Sequence, residues 1–233
     1  MVRRSGALAL LIAVAACAPA AAKHDPVSVN VRVEGLHKTL FEGRVTTIVH
    51  EVNSHDGSGS HKCDGTNGGA SKKPGPTLLG AFDTAMLRGH IGWEGQYFAS
   101  FEDFTIDRVG PDEADVEGGH FWGQALNYKD TEVGGCQLKV ENGDDVLVAY
   151  DSFQHPKLKL IGPKRVEPGE RFRVTVLNGA TGAPYAGARV RGKESDAGGH
   201  VRLKFVKPGH RRFKARDKGA IRSNRLHVRV SED

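Results

Sequence analysis

The chain has 233 residues, 33 Lys+Arg against 28 Asp+Glu, a formal net charge of +5 and 38% hydrophobic residues. That length allows one or two domains. No Gly-x-Ser-x-Gly elbow, His-Glu-x-x-His or nucleotide loop is present, so the motifs lend no support to an enzyme.

Arg3 and Arg4 precede an apolar run from Ala7 to Ala16, and a small-residue tract ends at Ala20-Ala21-Ala22. This order predicts that residues 1–22 are a secretory signal peptide. The run is shorter than the roughly 20 apolar residues a spanning helix needs, and no later segment is long enough, so no transmembrane segment is expected. Val14-Ala15-Ala16-Cys17 loosely resembles a bacterial lipobox, which makes acylation of Cys17 the alternative to cleavage after Ala22. Either route places the folded chain outside the cytoplasm, secreted or lipid-anchored. Cys63 and Cys136 remain, and an even count in an exported chain reads as a disulfide. Two free thiols or a metal site are the alternatives, but neither cysteine has the nearby second cysteine that a zinc site prefers.

The first domain is predicted over 25–155. Val27, Val29, Val31 and Val33 alternate with polar neighbours, the pattern of a half-buried strand. A second strand pattern covers Leu40 to Val52. Asn53 to Lys73 is rich in Gly, Ser, Asn and His and reads as loop. Leu78, Leu79, Phe82, Ala85 and Met86 have helical spacing, with Thr77 as N-cap and Gly89 as the stop. Phe98 to Val109 reads as one or two strands with Phe101, Phe104 and Ile106 inward. Strands are also expected over Phe121 to Tyr128, Gln137 to Val140 and Val146 to Tyr150, with a turn at Asn142-Gly143. Several strands around one helix predict a β-grasp-like α+β domain.

Charge divides the chain. From Lys23 to Pro156 there are 11 Lys+Arg and 21 Asp+Glu, a net of −10; from Lys157 to Asp233 there are 20 and 7, a net of +13. The asymmetry predicts a boundary at His155-Pro156 and a second domain over 157–233. There Phe172, Val174 and Val176 alternate with Arg171, Arg173 and Thr175. Turn signals recur about every 8–12 residues, and Val201, Leu203, Phe205 and Leu226, Val228, Val230 continue the period of two. This predicts an immunoglobulin-like β-sandwich, so the whole chain is expected to be mainly β.

The order of elements up to residue 151 carries a resemblance. Phe121-Trp122, Asn127-Tyr128, Gly134-Gly135-Cys136 and Gly143-Asp144-Asp145 precede the strand that ends at Tyr150. With the strand, Gly-rich loop and helix before them, residues 27–151 resemble the transcobalamin-type C-terminal domain family, matching at Trp122, Asn127, Gly134, Gly143, Asp144 and Tyr150. In bacteria that family is mostly of unknown function. The run His61 to Asn67, with a later cysteine beside a glycine pair, resembles a disulfide-bearing bacterial branch. In the vitamin carriers this module is a lid over a corrinoid held by a large helical barrel, for which this chain has no room. The second domain resembles bacterial Ig-like and carboxypeptidase-regulatory-like surface domains, which are commonly spacers or adhesion modules.

Three sets of residues are candidates for function. Trp93, Trp122, Asn127 and Tyr128 form a candidate ligand face, with aromatic packing in the core as the alternative. Arg189, Arg191, Arg202, Lys204, Arg211 and Arg212 are candidate contacts to a polyanion, on a basic solvent face that also takes in Lys214, Arg216, Arg225 and Arg229, because +13 in 77 residues exceeds what solubility requires. A solvated face and docking on the acidic first domain are the alternatives. Bases have no interleaved aromatics to stack on, so nucleic acid is not expected. His50, His55, Asp56, His61 and Asp64 match no metal-ligand spacing, and Glu102, Asp103 and Asp107 match no glycosidase pair. No metal or cofactor is expected. The leading expectation is an exported, non-catalytic binding or adhesion protein of the bacterial envelope, with anionic cell-wall polymer or another envelope protein as partner. Small-ligand binding with a partner and a structural spacer are the alternatives.

Overall fold

Val29, Val31 and Val33 place their side chains on one face of the first strand, and that face organises the N-terminal core. A computed structural model describes residues 25–232; the expected signal peptide and Cys17 lie outside them. The described chain is mainly β with one α-helix. Strands β1 (Val27–Glu34) and β2 (Thr39–Thr47), helix α1 (Leu78–Gly89) and strands β3 (Trp122–Leu126), β4 (Lys129–Asp130) and β5 (Asp145–Tyr150) form the main frame. The sheet order is β4-β3-β5-β1-β2, with β1 and β5 parallel at its centre. The outer pairs are antiparallel. A mixed sheet with a parallel central pair and one covering helix is a β-grasp-like arrangement.

Helix α1 forms where the spacing predicts. The Thr77 hydroxyl accepts from the Gly80 N–H at 3.1 Å, satisfying one of the donors left free in the first turn. The far end differs: His90, not a glycine, takes the left-handed C-cap position at φ 52° and donates to the Leu87 and Met86 carbonyls. Leu78, Leu79, Phe82, Ala85 and Met86 are buried against Val29, Val31, Val33, Val45, Val146 and Val148. Burying each large side chain of this set stabilises by about 1.5–3 kcal/mol.

Cys63 and Cys136 are joined in a disulfide with Cα atoms 4.5 Å apart. The segment expected as loop is partly regular, because His61–Cys63 pairs with His50–Val52. Its far side is held by fully buried Asn67, whose side-chain amide donates to the Lys62 carbonyl at 2.9 Å and to that of Glu102. At the other cysteine, the Cys136 N–H donates to Asp103 at 3.1 Å. A Cβ on Gly134 would lie 2.1 Å from the Asp103 carboxylate, so this bend admits only glycine.

Three local expectations are corrected. Gln137 to Val140 is a chain of turns with one isolated bridge, Thr77 to Lys139, because the disulfide and the Thr77 segment already occupy its backbone neighbours. Phe98 to Val109 breaks into two-residue strands, and Phe101, 64% exposed, sits on the turn between two of them instead of pointing inward. Strand β3 starts at Trp122 and ends at Leu126. Asn127 and Tyr128, with φ of 51° and 68°, form the two-residue turn of the β3–β4 hairpin. Positive φ at both central positions is the type I′ geometry that suits a twisted hairpin.

Asp83 on α1 collects two partners: the Trp93 indole N–H donates to it at 2.9 Å, and His50 Nε2 lies 3.1 Å away. The hydrogen bond to Asp83 raises the His50 pKa above 6.5 against a lowering by burial. A histidine whose folded pKa is raised adds stability that is complete below its unfolded value and is lost as pH rises through the folded one. Unfolding in denaturant at pH 5.5 and pH 8 is therefore expected to show a smaller loss of stability at high pH in His50→Gln than in the wild type. An unchanged difference would remove His50 as a source.

The second domain is built from β6 (Leu158–Ile161), β7 (Arg165–Val166), β8 (Arg171–Asn178), β9 (Arg189–Val190), β10 (Lys193–Glu194), β11 (His200–Lys204), β12 (Gly209–Phe213), β13 (Ala215–Arg216) and β14 (Leu226–Val230). They make three small sheets, β6-β8-β11, β7-β14-β12 and β10-β9-β13. Phe172, Val174 and Val176 of β8 point inward and join Leu158, Leu160, Val201, Leu203, Phe213 and Val228 in one core. The first core runs through β5, and this second one begins at Leu158.

Candidate functional site

The even-numbered face of β1 turns away from α1, yet Arg32 and Glu34 are 6% and 1% exposed. The second domain covers them. Ile221 packs on Ala125, Leu147 and Ala149 of the first sheet, giving the seam a small apolar centre. Around it lies a charged clamp. Glu34 accepts from Arg222 Nε at 2.6 Å and from Lys214, and Lys214 lies 2.7 Å from Glu42. The Arg225 backbone N–H donates to Glu42 at 2.6 Å, while Arg32 and Arg222 donate to the Arg222 and Gly35 carbonyls. Desolvation lowers the Lys214 pKa, and its two carboxylate neighbours oppose that shift. At the end of the seam Lys157 donates to the Ser152 carbonyl at 2.8 Å and to Asp130.

Lys214 and Arg225, expected on the basic solvent face, turn into the clamp instead, and Arg222 was not singled out from the sequence. Lys214, Arg222 and Arg225 occupy strand ends and the segment before β14, where an alternating pattern marks no inward position.

Tyr128 closes the same seam. Its ring lies so near the second domain that a Cβ on Gly179 would sit 2.2 Å from it. Its hydroxyl donates to Asn224 at 3.3 Å, and burial pushes the phenol up to about 12, keeping the proton in place. A tyrosine at φ 68° is costly in a turn that prefers glycine, and the packing across the seam holds it there.

The four residues of the candidate ligand face therefore do not converge on an open concavity. Trp93 and Trp122 are 4% and 5% exposed in the first core, and Tyr128 is 6% exposed at the seam. Asn127 is a turn residue that donates to Asp144 at 2.9 Å and accepts from the Asp145 N–H at 3.0 Å. Both rings of tryptophan face inward because the aromatic core of a small sheet needs their area more than solvent does.

The basic candidates are divided among several surfaces. Arg189 pairs with Glu194 at 2.9 Å. Arg191 and Arg211 lie over the Phe205 ring, 5.9 and 5.6 Å from its centroid. Arg212 lines a cleft at the seam. Arg202 and Lys204 remain on the outer face of β11, where the register places Arg173 opposite Arg202 and Arg171 opposite Lys204. All four are exposed, and none has a carboxylate within ion-pair distance among the described residues. Like charges directly opposite across a ladder are destabilising, by roughly 0.2–1 kcal/mol per pair. Arg171 and Arg173 were legible as outward-facing, but only the pairing register joins them to Arg202 and Lys204.

No protein-family model and no curated protein matches this chain. Among the described residues no helix is long and apolar enough to cross a membrane, and no group of three or more His, Cys, Asp and Glu is arranged to hold a metal ion. His61 stacks on Tyr97 with centroids 3.6 Å apart, and Asp103 is buried with its carboxyl pushed upward by desolvation.

Proposed function

We propose that this chain is an exported, non-catalytic binding protein of the bacterial envelope whose basic second domain holds an anionic cell-wall polymer. The observation that carries the reading is the quartet Arg171, Arg173, Arg202 and Lys204 on the outer face of β8 and β11. Cations two apart on a strand repeat about every 6.5–7 Å, and the next strand lies about 4.8 Å away. A flexible polyanion can set successive charges on such a grid and relieve the repulsion. A pure spacer would be better served by a carboxylate in place of one member of each pair.

The remaining features are consistent with this reading. The Cys63–Cys136 bond supports folding in an oxidising compartment. The β-grasp-like sheet order supports the resemblance of residues 27–151 to the transcobalamin-type C-terminal module, and three small sheets around one core support an Ig-like or carboxypeptidase-regulatory-like second domain. The corrinoid-like alternative loses its proposed aromatic face, since Trp93, Trp122 and Tyr128 are packed away.

The test is binding of labelled poly(glycerol phosphate) to the mature chain between 50 and 300 mM salt, read by fluorescence anisotropy. The wild type is expected to bind more weakly as salt rises. The variant Arg171→Gln/Arg173→Gln/Arg202→Gln/Lys204→Gln should lose at least tenfold in affinity, and its log K against log salt slope should fall by about 3, at roughly 0.7–0.9 per lost contact. Its thermal stability should hold or rise as the repulsion disappears. Wild-type affinity in a folded variant, or binding indifferent to salt, would overturn the proposal.

A further inference from the structure

A cleft of about 560 Å³ lies along the seam, walled by β1, β2 and the Tyr128 turn on one side and by β6, β12 and the segment before β14 on the other. Five cations line it: Arg32 and Arg44 from the first domain, and Lys159, Arg212 and Arg225 from the second. Its two carboxylates are already engaged. Glu42 is held by Lys214 and the Arg225 N–H, and Asp145 accepts from the Asn30 amide at 3.1 Å. Of the cations, Arg32 is within 4.0 Å of Glu34 and Arg225 within 3.8 Å of Glu42, whereas Arg44, Lys159 and Arg212 are not matched by a carboxylate among the described residues. Arg32 is nearly buried; its Nη1 donates to the Arg222 carbonyl, and its guanidinium carbon is 5.6 Å from the Tyr128 ring centroid. A guanidinium carries five N–H donors. Lys159 approaches the same ring at 5.4 Å. Arg44 and Arg212 have no carboxylate within ion-pair distance among the described residues.

We infer that this cleft is a binding site for a small polyvalent oxyanion, a phosphate ester or a di- or tricarboxylate, held between the two domains. Low-dielectric walls of one sign focus the potential at such a place, and planar arginine forks suit the paired oxygens of phosphate and carboxylate. The companion cleft on the other side of the clamp lacks this excess. Arg189 there is answered by Glu194 and Arg222 by Glu34, while Asp151 and Asp217 also line it. The seam site stands apart from the quartet on β8 and β11 and does not depend on the polymer reading. Because its walls come from both domains, an occupant binds only the docked arrangement and raises its stability by mass action.

The experiment is isothermal titration and thermal unfolding of the mature full-length chain with tripolyphosphate and, separately, citrate, at fixed ionic strength. Saturable binding with a rise in Tm by at least one of the two is expected; which one binds identifies the oxyanion class. Arg44→Gln/Arg212→Gln, two exposed positions, should weaken that binding at least tenfold while circular dichroism stays native. Lys159→Gln should weaken it to a smaller degree, and the quartet variant should bind as the wild type does. Absence of saturable binding by both anions, or undiminished binding in folded Arg44→Gln/Arg212→Gln, would overturn the inference. Loss of binding in the quartet variant instead would move the site to the sheet face and overturn it as well.

Discussion

Glu34→Ala is expected to lower the unfolding free energy by about 3–5 kcal/mol, the largest effect of any single side chain at the seam. The carboxylate is 1% exposed and takes Arg222 and Lys214 together, with Arg32 at 4.0 Å. Removing it leaves cations in a place where water cannot fully solvate them, and that residual charge, not the lost attraction, sets the size of the penalty. The corresponding expectation for the whole group is different. Replacing Glu34, Lys214 and Arg222 together by methionine should cost less than Glu34→Ala alone, since the two cations Glu34 neutralises leave with it, while Glu42 keeps Arg225 and Arg32 keeps the backbone carbonyl of residue 222. Chemical denaturation of the two variants separates the cases. A loss under about 1 kcal/mol for Glu34→Ala would mean that the clamp does not hold the domains together.

The second large effect is expected from Cys63→Ser/Cys136→Ser. A sequence separation of 73 residues gives about 4.5 kcal/mol in the chain-entropy model, and removal of a native bridge typically costs 2–5 kcal/mol. At about 2–4 °C per kcal/mol for a chain of this size, calorimetry should record a Tm lower by roughly 5–15 °C. The damage has a definite location. Thr77, the N-cap of α1, also donates to the Cys63 carbonyl at 3.2 Å, and the Leu79 N–H donates to the Gly135 carbonyl at 3.1 Å. Loss of the bridge therefore loosens the start of the helix from both sides. Alkylation of both thiols in the folded, unreduced protein would remove the premise.

The sequence was informative where one physical rule decided the outcome. A period of two identified β1 and the inward face of β8, and helical spacing with a threonine before it identified α1, because burial on one face dictates those patterns. Signals broke down where contacts distant in the chain decide. Gln137 to Val140 has strand composition, but its neighbours are a helix cap and a disulfide. Asn127 and Tyr128 continue the apolar character of β3, yet a turn is required there to bring back β4. The aromatic candidates were residue types suited to ligands that the core had greater use for. The polar side of the first strand reads as solvent-facing, since nothing local to Arg32 or to Glu34 just beyond the alternation announces that another domain lies on it. Charge asymmetry pointed the same way in aggregate: docking on the acidic first domain stood as an alternative for the +13 half, and Glu34, Glu42, Lys214 and Arg222 pair across the seam in that sense.

The sheet covered on both faces also governs how the molecule can be dissected. A fragment cut at Pro156 would bare Ala125, Leu147 and Ala149 and strand Glu34 and Glu42 without their counterions. Such a half presents a wound rather than a native exterior, and its adhesiveness in a pull-down would report the scalpel. Ligand screens on this protein belong on the intact pair.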